Sequence, residues 1–86
     1  MASVAELRAA IDAAMQQVAD GQTAVRLASE KLSEAQQSLA AALDGSGHES
    51  VSAAQAALGQ AGVELEECLT ATLAAVEQAQ QYTASL

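Results

Sequence analysis

Large aliphatic residues recur at every seventh position through the first half of the chain: Val4, Ile11, Val18, Val25, Leu32 and Leu39. Three places after each stand Leu7, Ala14, Gly21, Ala28, Ala35 and Ala42, nearly all of them small. A seven-residue repeat keeps one stripe of a helix turned toward a neighbour, and small side chains on such a stripe let two backbones approach closely. The pattern predicts a long helix pressed against another along a seam of large and small residues. The second half opens on the same beat at Val51, Leu58 and Leu65, then places Thr72 and Ala79 where apolar residues are due. Its large residues continue at Leu69, Leu73 and Val76, giving eleven-residue steps such as Ala54–Leu65–Val76. An eleven-residue repeat follows a straight or slightly right-handed helix, whereas a seven-residue repeat supercoils to the left. The two helices are therefore expected not to share one uniform seam. Met15, Leu27, Val63 and Leu73 fall outside the main stripe, so apolar surface is expected beyond what one neighbour covers.

Start and stop signals divide the pattern into two. Ser3-Val4-Ala5-Glu6 reads as a capping box, in which serine and glutamate satisfy each other's backbone N–H groups. Asp44-Gly45-Ser46-Gly47 supplies a stop, with Gly45 as the left-handed residue that ends a helix. Ser46-Gly47-His48-Glu49 reads as a second capping box. The expectation is a single all-α domain over residues 1–86, with helix one at about 4–43, a turn at 44–47 and helix two at about 48–84. Rods of roughly 60 Å follow from the helical rise, and a short turn between them makes an antiparallel hairpin. A turn centred near Ser46 would set Gly21 beside Ala71 and Arg26 near Glu66. A glycine inside a helix costs about 1 kcal/mol relative to alanine. Gly21 lies on the small-residue stripe, so close approach of the backbones is its expected reason and the helix is read as continuous through it.

Composition reinforces the helical reading and removes several functions. Hydrophobic residues make up 51% of the chain, yet only Tyr82 is aromatic and proline is absent. Alanine, about a quarter of the residues against a much lower usual share, is the best helix former. The net charge of −8, from three basic and eleven acidic residues, repels phosphate backbones and anionic lipid headgroups. Nucleic acid and membrane are accordingly not expected as partners. No apolar run is long enough to span a bilayer and no basic head precedes an apolar core at the N-terminus. The expected location is the cytoplasm, or outside the cell by export without a cleaved signal peptide. The lone Cys68 cannot form an internal disulfide. Little lysine and much alanine suggest a high-GC bacterial source.

Candidate chemistry is sparse. Cys68 reads as a buried inert thiol beside Leu65 and Leu69; the rival reading, a redox or intersubunit disulfide, lacks a nearby activating base. His48 has no ligand-spaced partner and reads as a solvated turn residue rather than a metal ligand. Glu64, Glu66 and Glu67 form the densest acidic patch, but nothing in the sequence would enclose a substrate over them. Arg8–Asp12, Arg26–Glu30 and Lys31–Glu34 are spaced for intrahelical ion pairs. Tyr82 reads either as an interface anchor or as an end residue covering Val4 or Leu7. No catalytic, cofactor-binding or metal site is expected, and no enzyme. A small-ligand carrier ranks last, because alanine seams that close tightly leave little volume.

Two helices of similar length, a glycine-containing turn at the midpoint and an acidic surface resemble the WXG100 (ESAT-6-like) proteins. The family's Trp-x-Gly turn would fall at Asp44-Gly45-Ser46-Gly47, which has the glycines without the tryptophan. Its C-terminal signal, a tyrosine followed four residues later by an acid, would fall on Tyr82-Thr83-Ala84-Ser85-Leu86, where Leu86 replaces the acid. The resemblance implies helical hairpins that pair into four-helix bundles and are exported by type VII secretion as effectors or chaperone-like substrates. The residues themselves imply a non-enzymatic protein–protein interaction module. Its partner would be itself, as a homodimer and four-helix bundle, or another helical protein. The expected interface is Val18, Val25, Leu32, Leu65, Leu69 and Leu73.

Overall fold

The computed structural model describes residues 2–44 and 47–86 and holds two long helices, α1 (Val4–Ala42) and α2 (Glu49–Ala84), packed against each other. They run antiparallel: one open groove joins Ile11 and Met15 of α1 to Ala79 and Thr83 of α2, while Gln36 meets Gln55 near the turn. The hairpin is a rod of 64 × 17 × 15 Å with a radius of gyration of 19.5 Å. A compact domain of this length would have a radius of about 12 Å. The expected rod length and the all-α hairpin are both found.

Local chemistry explains the helix ends. Ser3 caps α1, its Oγ accepting from the backbone N–H of Glu6 at 3.1 Å, and Glu6 places a negative charge in the first turn, where the helix dipole favours it. The cap of α2 differs from the expectation. His48 occupies the cap position, and its Nδ1 accepts from the N–H of Ser50 at 3.1 Å. His48 is thus the helix stop-start residue rather than a residue of the first turn. Gly45 and Ser46, on which the left-handed stop and the serine of the second capping box were read, lie outside the described residues. Helix α1 ends where the N–H of Leu43 bonds to the carbonyl of Leu39 at 3.0 Å.

The seam corrects the sequence reading in two ways. Ile11, Val18, Val25, Leu32 and Leu39 are half-buried, but their companions are Met15, Gln22, Ser29, Gln36 and Leu43, four places on rather than three. The expected companions Ala14, Gly21, Ala35 and Ala42 are exposed. Either row fits a helical period. The row that wins carries longer side chains, whose methylenes each remove more apolar surface from water, at about 0.8 kcal/mol per buried CH₂. The second correction concerns α2. Val51, Leu58, Leu65, Thr72 and Ala79 are all half-buried, as are Gln55, Gly62, Leu69, Val76 and Thr83. The seven-residue repeat therefore persists to the end of α2, and the two helices do share one uniform seam. The eleven-residue steps reflected which residues were large, not which faced the neighbour.

Register follows from Gln22, which bonds to Thr72. Counting outward in opposite directions sets Val25 against Leu69, and it sets Leu32 against Gly62 and Met15 against Ala79, two pairs in which a large residue meets a small one. The expected pairing is displaced by less than one helical turn. Gly21 and Ala71 are both exposed, and a Cβ built on Gly21 would meet nothing within 4 Å. Close approach of α2 is therefore not the reason for that glycine, although α1 does run unbroken through it. Met15, expected outside the stripe, lies on it.

Gly62 is the seam's thinnest point, and a Cβ added there also meets nothing within 4 Å. Gly62→Ala is expected to stabilise the hairpin by about 1 kcal/mol through helix propensity alone. A thermal melt should rise by about 4–8 °C; a fall would show that α2 approaches more closely there than the packing indicates.

Candidate interaction surfaces

Five of the six expected interface residues, Val18, Val25, Leu32, Leu65 and Leu69, lie half-buried on the seam between α1 and α2. They hold the hairpin together. The sixth, Leu73, stands off the seam and is 53% exposed. Leu27 and Val63 are exposed as well, in keeping with their places outside the stripe. Among the described residues no hydrophobic side chain is fully buried.

The most buried residue is polar. Gln22, 9% exposed, donates from Nε2 to Thr72 Oγ1 at 3.1 Å, and that hydroxyl donates to the carbonyl of Leu69 at 2.8 Å. Nearer the turn, Gln36 Nε2 donates to the carbonyl of Gln55 at 3.3 Å, and Gln55 Nε2 returns a bond to the carbonyl of Gln36 at 3.0 Å. These three bonds are the side-chain hydrogen bonds between the helices among the described residues. The sequence pattern singles out none of these glutamines for a seam role; the signal that could have found it is the spacing of Gln22 and Gln36, each four places after a seam valine or leucine. Ser29 Oγ is buried without a partner beside them.

Two grooves open along one flank of the rod. The larger, about 460 Å³, is lined by Arg8, Asp12, Met15 and Gln80 among others. The smaller, about 270 Å³, lies by Ser29, Ser33, Gly59, Gly62 and Glu66. Both are open to solvent along their length, unlike the concave sites that cover most of a small ligand.

Cys68 is exposed, not buried, because the seam takes Leu65 and Leu69 and turns the thiol between them to the side. Glu64, Glu66 and Glu67 are exposed, and among the described residues no three His, Cys, Asp or Glu side chains converge as metal ligands. Of the ion pairs considered, the described residues form Lys31–Glu34 at 3.4 Å, between side chains 67% and 63% exposed; solvent screening leaves it little weight. Arg26 makes no ion pair with Glu66. Tyr82 is 51% exposed and Val4 53%, so the tyrosine leaves Val4 open, while Leu7 is half-buried. Among the described residues no helix is long and apolar enough to cross a membrane.

Comparison with protein-family models, with characterised proteins and with solved structures gives no match.

Proposed function

We propose that this chain is a non-enzymatic protein–protein interaction module that associates with itself, two hairpins forming a four-helix bundle. One observation carries the reading. The hairpin exposes 6088 Å², whereas a compact protein of 8.6 kDa exposes only about 4,700 Å². The excess of roughly 1,400 Å² is of the size that a standard protein interface covers in total. With a half-buried seam as its whole interior, one hairpin has only two layers and no third against which to close. Sedimentation equilibrium over a wide concentration range tests this. A mass of twice the chain at micromolar concentration is expected. A folded monomer at every concentration would count against self-association and favour a different helical protein as partner.

A second reading has one observation in its favour. Tyr82 stands exposed near the end of α2, where a WXG100-like export signal places its tyrosine. On that reading the hairpin is a type VII-secreted effector or chaperone-like substrate. Tyr82→Ala should then abolish appearance in the medium of a bacterium carrying such a system while leaving helicity unchanged. Undiminished export of the variant would remove the reading.

A further inference from the structure

We propose that one flank of the hairpin, the one built from two rows of mostly alanine, docks a second copy of this chain. The proposal rests on the self-association reading above and names the surface that performs it. The row Leu7 to Ala42, which sequence analysis took for the seam, is left beside it. On α2 the matching row is Ala54, Ala61, Cys68, Ala75 and Tyr82, again every seventh residue. The two open grooves gather Asp12 and Ser33 of α1 with Gly59, Glu66 and Gln80 of α2, all from the other side of the seam. The alanine rows therefore share the flank opposite the grooves. Leu7, Ala28 and Ala61 are the half-buried members of these rows, and the other members are exposed.

Three arguments select a second copy as the occupant. The first is charge. Each chain carries −8, so contact between copies is opposed wherever acids face acids. The rows on the grooved flank carry Asp12, Arg26 and Glu66, whereas neither alanine row holds any ionisable side chain except Cys68 and Tyr82, with Lys31 and Glu64 along their outer edges. Contact along the alanine rows is the one that sets no acid directly against an acid. The second is area. A face 64 Å long and 15–17 Å wide offers on the order of 1,000 Å², above the roughly 800 Å² per partner of a standard interface. The third is entropy and shape. Alanine loses no rotamer freedom on docking, and the small residues between Leu7 at one end of the first row and Tyr82 at the end of the second let helix axes approach to about 8 Å, the near end of the usual range.

The test uses the whole chain. Ala35→Glu and Ala75→Glu put a charge on each row at exposed positions, with a residue that favours helix. Leu73→Glu puts the same charge off both rows. Sedimentation equilibrium is expected to show dimerisation weakened by about tenfold or more in each alanine variant and essentially unchanged in Leu73→Glu. Cys68 gives a second readout in the unaltered protein: alkylation by iodoacetamide should slow severalfold as concentration passes through the dimer range. Dimers retained by the alanine variants, or lost in Leu73→Glu alone, would overturn this flank while leaving self-association standing. A Cys68 alkylation rate independent of concentration in a protein that does dimerise would do the same. An unaltered chain that stays monomeric would overturn both this proposal and the reading beneath it.

Discussion

Leu69→Asp is expected to unfold most of the hairpin, whereas Leu73→Asp, one helical turn away, is expected to leave its stability almost unchanged. Leu69 is half-buried on the seam, set against Val25 by the register that Gln22 and Thr72 fix. Its replacement removes apolar burial worth about 1–2 kcal/mol for a half-covered leucine. It also sets a short carboxylate, which cannot reach round to water as a lysine stem can, against an apolar neighbour. A charge so placed without a partner adds a penalty of several kcal/mol. A loss of about 3 kcal/mol or more is a large part of the 5–15 kcal/mol that stabilises ordinary domains. Thermal melts followed by far-ultraviolet circular dichroism should fall by about 12 °C or more for Leu69→Asp. Leu73, 53% exposed, has little burial to lose, and its variant should stay within about 0.5 kcal/mol of the unaltered protein. Equal melting temperatures for the two variants would refute the seam assignment.

The contrast between Leu69 and Leu73 also shows how far the sequence could be read. Two long helices, the rod length, the Ser3 cap and the antiparallel turn all follow from local signals: helix-forming composition, absence of proline, and a serine three residues before a glutamate. Such signals act within one or two helical turns and survive any choice of partner face. The face itself does not follow from them. From Val18, the step to Gly21 and the step to Gln22 both stay on one side of a helix, and only the neighbour decides between them. Small size favoured Gly21 as a seam residue, but burial of longer side chains outweighs close approach when both are on offer. The same reasoning error placed Cys68 inside and broke the repeat at Thr72. Thr72 keeps its place on the seam because Gln22 bonds to it, a pairing between positions fifty residues apart that no local pattern displays. As for the proposed docking flank, its α1 row stands in the sequence as a run of mostly small residues; what hid it was their assignment to the interior.

Replacing the polar seam residues by apolar ones, as Gln22→Leu with Thr72→Val and Gln36→Leu with Gln55→Leu, is expected to raise the melting temperature by about 10 °C and to cost the hairpin its single register. Each replacement adds apolar burial and removes amides whose bonds within the protein are worth only about 1 kcal/mol net over bonds to water. Substitution of both partners at once avoids leaving an orphaned group, which is the condition under which such swaps are neutral or stabilising. The glutamines nevertheless select one alignment. Slide α2 by one seven-residue step and Gln22 meets Leu65 or Ala79 instead of Thr72, so a nearly buried amide loses its partner. Gln36 and Gln55 would each lose the carbonyl of the other at the same time. The penalty for burying unpaired polar groups, about 1–3 kcal/mol each, suppresses the shifted forms. Without it, valine and leucine contacts recur every seven residues and one register resembles the next, as a polar seam position is known to prevent in coiled coils. The apolar variant should therefore melt higher yet show multiple amide resonances for single residues, and species larger than a dimer by sedimentation velocity. A variant that melts lower, with one set of resonances, would mean that the glutamine bonds supply stability rather than alignment.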